Sequence, residues 1–385
     1  MNYVSFSPHF PPNYFPFCVN LRKMGANVLG LADAPYDELS WQLKSSLTEY
    51  YRVSNALNYD ELVRALGYFT HRYGKIDRLE SHNEFWLEND ARLRTDFNIP
   101  GFHIADMPRV KRKSEMKKMF IQSGIAVARG KVFHSPWKAR TLVEEVGFPI
   151  VAKPDVGVGA NKTYLLKNQE DLDAFFSNKP TEDFIFEEFI GGDIVTFDGL
   201  TNMNGEVVFC SAMRYSEGVM EVVNRSSDIW YYTERFIPED LEAAGRKLVA
   251  AYNLKERFFH FEFFRTPEED LVGLEVNMRP PGGLTTEMWN YSNDIDIYRE
   301  YANVVVNNHF DAEINRPYYC GYIGRRLNKS YHHTLEELIA MFPEEIIHHE
   351  SISGIFAAAI GDHGFLVRTP EFDRLSEIAW AVLEN

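Results

Sequence analysis

The stretch Phe258–Gly283, FFHFEFFRTPEEDLVGLEVNMRPPGG, constrains the fold more than any other part of the chain. Alternating residues on either side of Pro267-Glu268-Glu269-Asp270 predict a β-hairpin, with strands over 258–265 and 271–278. A four-residue turn pairs Thr266 with Leu271, which sets Glu262 opposite Glu275 and His260 opposite Asn277. Strand side chains alternate faces, so His260, Glu262 and Phe264 share one face and Phe259, Phe261 and Phe263 the other. On the return strand Glu275, Asn277 and Arg279 lie on the polar face, while Leu274 and Val276 point to the core. Two carboxylates directly opposed on a sheet repel each other, so a cation is expected between them. The oxygen donors of Glu262, Glu275 and Asn277 suit a hard divalent ion better than a thiolate-loving one. The other reading is a solvated face on which His260, Arg265 or Arg279 neutralises the acids. Both readings stand at this point.

The 385 residues are enough for a large core and for roughly two to four domains. A formal charge of −16 argues against nucleic acid or an anionic membrane as a general partner. Cys18, Cys210 and Cys320 match no metal or redox spacing, which points to a reduced, intracellular protein. The N-terminal sequence lacks the basic and apolar segments of a signal peptide, and no apolar run approaches a membrane span. A cytoplasmic location is the expectation.

Residues 1–108 alternate strand and helix patterns: strands at 3–7, 27–32, 49–53 and 76–81, helices at 14–24 and 59–73. Such alternation favours a parallel sheet with crossover helices and ligands at the carboxyl ends of the strands. No G-x-G-x-x-G follows the first strand, which argues against a dinucleotide site. Glu80 and Glu84 read either as helix-start acids or as the lining of a substrate cleft. The basic run Arg109–Lys118 opens a helix that ends at Gly124, serving either a bound anion or solvent.

Downstream, Ile150–Lys153 reads as a strand that delivers Lys153 to Gly157-Val158-Gly159-Ala160-Asn161-Lys162-Thr163. Glycines let backbone N–H groups approach phosphate oxygens closely. The loop lacks the Walker pattern and precedes a strand, so it is either a nucleotide loop or a plain hairpin turn. Phe184–Ile190 reads as a buried strand with adjacent acids. Further strands are expected at 196–200, 207–212 and 218–223, and a helix from about 238 to 252. Residues 285–308 read as helical. In the tail, a strand over 318–328 precedes a helix capped by Thr334 and Glu337. Strands near 354–360 and 365–368 and a last helix over 371–383 complete it.

Taken together, these pieces resemble the ATP-grasp superfamily over about Lys113–Gly283. There a lysine lies eleven residues before a helix-ending glycine, as Lys113 does before Gly124. A second lysine ends a strand before a glycine loop, matching Lys153 and Gly157–Thr163. The hinge strand matches Glu187-Glu188-Phe189-Ile190. An acid about a dozen residues before E-x-N-x-R matches Glu262 and Glu275-Val276-Asn277-Met278-Arg279. The resemblance implies a multidomain α/β and α+β chain. Its expected parts are an N-terminal parallel-sheet domain (1–108), a two-lobed ATP-grasp domain (109–312, divided as 109–188 and 189–312) and a small C-terminal α+β module (313–385).

It also implies roles. Lys113 and Lys153 would contact ATP phosphates beneath Gly157, Gly159, Ala160 and Asn161. Backbone groups of Glu188 and Ile190, with Phe189 between them and the Glu187 side chain nearby, would read adenine. Asp193 is the candidate for the ribose hydroxyls. Glu262, Glu275 and Asn277 would hold magnesium or manganese, and Arg279, with Lys153, would act on the transferring phosphoryl group or its carboxylate acceptor. The implied activity is an ADP-forming carboxylate–amine ligase that passes through an acyl-phosphate, with a small-molecule carboxylate and a small-molecule amine, either an amino acid or another amine, as substrates. A kinase, a thiol ligase and a non-catalytic ATP-binding protein are the alternatives. Arg214 and Arg225 are candidates for a substrate carboxylate. The tail from Ala312 serves either to cover the site or as packing and homodimer surface.

Overall fold

The computed structural model describes residues 1–157, 162–216, 228–352 and 354–385. The expected strand over 218–223, Arg225, and four of the loop residues (Val158, Gly159, Ala160 and Asn161) lie outside them. Among the described residues no helix is long and apolar enough to cross a membrane.

The N-terminal domain is a parallel sheet in the order Glu49–Arg52, Asn27–Ala32, Asn2–Phe6, Arg78–Glu80. Its central strands, Asn2–Phe6 and Asn27–Ala32, are buried on both faces, as crossover helices require, and Leu29, Leu31, Leu66 and Phe69 fill one side. Arg78–Glu80 ends at the domain border, so the residues after it face the rest of the molecule. Two short helices that the periodicity did not predict, Trp41–Ser46 and Leu87–Asp96, complete this region.

A four-stranded antiparallel sheet forms the small lobe, in the order Gly130–Val132, Phe184–Glu188, Ile150–Pro154, Tyr164–Leu166. The helices Pro136–Val146 and Gln169–Ser177 pack on it through Ala139, Leu142, Leu172 and Phe175. The helix expected over the basic run is broken: Met107–Lys111 ends at Arg112, whose extended backbone bridges Val156, and Lys113–Gln122 begins anew. That second helix buries Met116 and Phe120 against the large sheet, and Ala126–Val127 is the last strand of that sheet. The small-lobe sheet begins after this strand, at Gly130.

Among the described residues the large sheet has nine strands, and it contains the hairpin. Asp193–Thr201 pairs with Phe258–Arg265, which pairs with Leu271–Asn277. The tail strands Tyr319–Arg325, His363–Thr369 and Ile346–Ser351 join the same sheet through Ile229–Thr233. Residues 313–385 are thus tied to the large lobe by main-chain hydrogen bonds rather than set apart from it. Gly354–Ile360, expected as a strand, is a helix. Its Ala357-Ala358-Ala359 run favours that state, and the sheet edge is already taken by Ile346–Ser351.

The hairpin keeps the expected site register but reaches it by a different route. Glu262 pairs with Glu275 and His260 with Asn277. The turn, however, is one residue shorter than expected. Arg265 pairs with Leu271, and the Thr266 N–H donates to the Asp270 carbonyl at 3.0 Å. Glu269, at φ 67°, closes a three-residue loop. Leu274 is the extra residue of a β-bulge and restores the register above it. Consequently Phe259, Phe261, Phe263 and Val276 enter the core while Leu274 stays half-buried outside it.

Gly273 lies beside this bulge, where a Cβ would sit 2.4 Å from the Phe120 ring. Gly273→Ala should overpack the contact between helix and hairpin and cost about 1–3 kcal/mol. The measurement is a urea midpoint that falls with an unchanged m-value; Phe120→Leu in the same chain should recover part of the loss.

Candidate active site

Three neighbouring strands carry a polar grid on the face opposite the phenylalanines. Asp198 pairs with His260, and His260 with Asn277; one rung along, Thr196 pairs with Glu262, and Glu262 with Glu275. His260 is buried, with Nδ1 2.6 Å from Asp198 Oδ1 and Nε2 3.0 Å from Glu262 Oε1. Burial opposes a charged imidazole, but Asp198 and Glu262 outweigh it and lift the His260 pKa to about 9. The Asn277 amide donates to Glu262 Oε1 at 3.3 Å. On the other side of the grid, Lys113 Nζ lies 3.0 Å from Glu275 Oε1. The repulsion between the two glutamates is therefore met by one cation on each: His260 on Glu262, Lys113 on Glu275.

The helix Lys113–Gln122 spans the two lobes. Residues four apart share a helix face. Lys113 accordingly reaches Glu275 in the large lobe, and Lys117 lies 2.5 Å from Glu187 in the small one. Lys153 stands diagonally across the sheet from Glu187 and is 2.7 Å from it. Burial alone would raise the Glu187 pKa, but Lys153 and Lys117 hold it at about 2. Asp155, fully buried, caps the helix start: it accepts from the Ser114 N–H at 2.8 Å and from Arg112 Nη1 at 3.0 Å. The Lys113 N–H donates to the Asp155 carbonyl, and Lys113 Nζ donates to the Gly157 carbonyl at 3.1 Å. The start of the glycine loop is thereby fastened to the lysine helix.

The other expected site residues fall as follows. The Glu188 N–H donates to the Arg129 carbonyl at 2.9 Å, and its carboxylate pairs with the Arg129 guanidinium at 2.6 Å. Phe189 is exposed, and Ile190 precedes the Gly191-Gly192 turn. Asp193 is exposed and lies 3.2 Å from Arg214, which also approaches Glu234 at 3.3 Å. Arg214 is thus occupied by two acids of its own sheet. Arg279 follows the grid, with Nη2 donating to Asn277 Oδ1 at 3.4 Å and Nε 3.6 Å from Glu84. Glu84 is largely buried, and burial raises its pKa against the pull of Arg279 and Lys111. Glu80 is an interdomain anchor instead, paired with Arg257 and with Arg94 at 2.7 Å.

Four contributors escaped sequence reasoning: Asp198, Lys117, Asp155 and Glu84's contact with Arg279. Only Lys117 had a local signal, its four-residue spacing from Lys113. The rest depend on pairings between distant segments.

Two carboxylates and an amide carbonyl offer hard oxygen donors suited to magnesium. Among the described residues no cluster of three or more His, Cys, Asp and Glu side chains has metal-binding geometry. The face fits an ion that arrives with further oxygen ligands, such as phosphate groups and water. Around it stand Lys113, Lys117, Lys153 and Arg279, so the cleft combines cations for an oxyanion with a hard-ion face.

Replacing the acid shared by Lys117 and Lys153 tests this charge balance. Glu187→Gln should destabilise the nucleotide-free chain by about 3–5 kcal/mol, since two buried ammonium groups lose their partner. The Glu187 pKa is depressed, so its contribution is complete above its ordinary value and lost as pH falls toward about 2. In chemical unfolding the stability gap between wild type and Glu187→Gln should accordingly narrow below pH 4.5, that ordinary value.

Residues 146–287 match the ATP-grasp domain family. An L-arginine-specific L-amino acid ligase from Bacillus subtilis is 26% identical over 257 residues. That alignment spans 61% of this chain and 61% of the relative's length. The crystal structure of an L-amino acid ligase from Bacillus licheniformis superposes with a TM-score of 0.75 at 15% identity, covering 98% of this chain and 95% of that one. N5-carboxyaminoimidazole synthetase from Staphylococcus aureus, complexed with ADP, superposes with a TM-score of 0.73 at 15% identity, covering 100% and 97%. The family match covers residues 146–287, which hold three of the four small-lobe strands and the hairpin with its Glu262–Glu275–Asn277 face.

Proposed function

We propose that the chain is an ATP-dependent, ADP-forming carboxylate–amine ligase acting on small molecules. The observation that carries this reading is the meeting of Lys113, Lys153, the Glu262–Glu275–Asn277 face and Arg279 in one cleft between two lobes. The names of the similar ligases and of the ADP complex support it. The free cysteines fit a reducing, cytoplasmic setting.

A carboxylate at neutral pH is a poor electrophile, so amide formation needs activation. A substrate carboxylate oxygen attacks the γ-phosphorus of ATP, the bond to the β-phosphate oxygen breaks, and ADP leaves. The amine nitrogen then attacks the acyl-phosphate carbon and loses a proton, and inorganic phosphate departs with cleavage of the C–O bond. Phosphoryl transfer depends mainly on positioning and charge neutralisation. Lys113 and Lys153 would turn from Glu275 and Glu187 to the phosphates, with the glycine loop over them. Glu187 and the exposed Phe189 would flank the base, and Asp193 would face the ribose. Glu262, Glu275 and Asn277 would hold a magnesium ion, which would supply positive charge to offset the negative charge of the phosphates. Arg279, held by Glu84 until substrate arrives, offers a fork to the carboxylate and to the phosphoryl group it receives.

ADP and phosphate release, measured with a panel of carboxylates and amines, tests the reading. Turnover should require ATP, magnesium and both substrates, with an amide as product; a stable phosphorylated compound would indicate a kinase instead. Glu275→Gln should abolish turnover. Arg279→Ala should lower kcat by about 10²–10³, and Arg279→Lys should not recover it, because an ammonium lacks the fork.

A further inference from the structure

Beyond the loop that follows Arg279 lies a cavity of about 370 Å³. Three distant parts of the chain meet there: residues 12–16 after the first strand, the entry to the helix Thr285–Asn293, and the tail elements Ile346–Ser351 and Gly354–Ile360. Its apolar wall includes Phe15, Ile352, Phe356 and Ile360. Phe356 is held by stacking on Phe10, with ring centroids 5.4 Å apart and planes 7° apart. The charged lining is Glu287 and Glu350, with His348 3.1 Å from Glu350; no lysine or arginine lines the cavity among the described residues. Glu287 is aimed by three donors: the Tyr298 hydroxyl at 2.5 Å, the Asn13 amide at 3.1 Å and the Thr286 hydroxyl at 3.0 Å.

The cavity and the cationic cleft share a wall. Tyr14 OH donates to the Pro281 carbonyl at 2.8 Å and the Asn13 amide to the Gly283 carbonyl at 3.2 Å, which fixes the loop from Arg279 to the cavity. On the Arg279 side the chemistry suits carboxylate and phosphate. On the other side, acids and apolar side chains suit an amine with an apolar body. The volume lies within the range of pockets for small ligands. An anionic side group would meet Glu287 or Glu350, and His348, the one described lining residue that could offset it, lies against Glu350 already, which disfavours such a group.

We propose that this cavity holds the amine substrate and selects amines bearing a bulky, uncharged apolar group over small or acidic ones. The proposal rests on the ligase reading above.

The test is calorimetric titration of the full chain, with magnesium and the non-hydrolysable analogue AMP-PNP bound. The probes are L-phenylalaninamide, L-alaninamide and L-aspartic acid α-amide, which lack a free α-carboxylate and so report the amine side. L-Phenylalaninamide is expected to bind at least about ten-fold more tightly than either of the others. Phe356→Ala should erase most of that preference and Phe356→Leu should keep most of it, with AMP-PNP affinity unchanged in both as the control for folding. Equal affinity for the three amides, preference for the acidic one, no amide binding to the AMP-PNP-loaded chain, or full selectivity in Phe356→Ala would each overturn the proposal. Failure of the unaltered chain to bind AMP-PNP would instead remove the ligase reading, and this proposal with it.

Discussion

Glu262 and Glu275 face each other on one rung of a sheet, an arrangement that is unfavourable unless each carboxylate has a cationic partner. The protein supplies one from each side. His260, itself held by the buried Asp198, faces Glu262, and Lys113 arrives at Glu275 from another element. The requirement propagates outward. Lys113 can reach Glu275 only if its helix lies across the hairpin, which Phe120 achieves by packing over Gly273 where a side chain would not fit.

The same helix joins the lobes. Two of its lysines, Lys113 and Lys117, lie one turn apart and are bound to acids on different sheets, and its start is capped by Asp155 of the small lobe. Each lysine proposed to take a phosphate group is thus already neutralised by a carboxylate of the cleft. Oxyanions entering there would exchange one set of anionic partners for another rather than meet bare charges. The cost of keeping buried ammonium groups without nucleotide is offset in advance.

Much of the site was legible in the chain itself. Period-two alternation around a turn placed Glu262, Glu275 and Asn277 on one face, and the structure keeps that pairing. The route was not legible: the turn is shorter by one residue and the Leu274 bulge compensates, two changes that cancel at the site and are invisible to strand periodicity. Gly354–Ile360 was misread because a short apolar run is compatible with either state, and the competing edge strand decides the outcome. The tail's membership of the large sheet likewise depends on a pairing between residues 229–233 and 319–325.

Sequence by itself determined the local chemistry: which strands alternate, where lysines end a strand or open a helix, and which oxygen donors share a face. These follow from backbone periodicity, a property of neighbouring residues. Tertiary structure alone decided the partners. Asp198 behind His260, Lys117 and Lys153 on one glutamate, Asp155 on the lysine helix and Glu84 against Arg279 each join segments far apart in the chain. Such contacts exist only once the sheets are formed and the lobes packed, because their strength comes from burial and from proximity that no local pattern encodes.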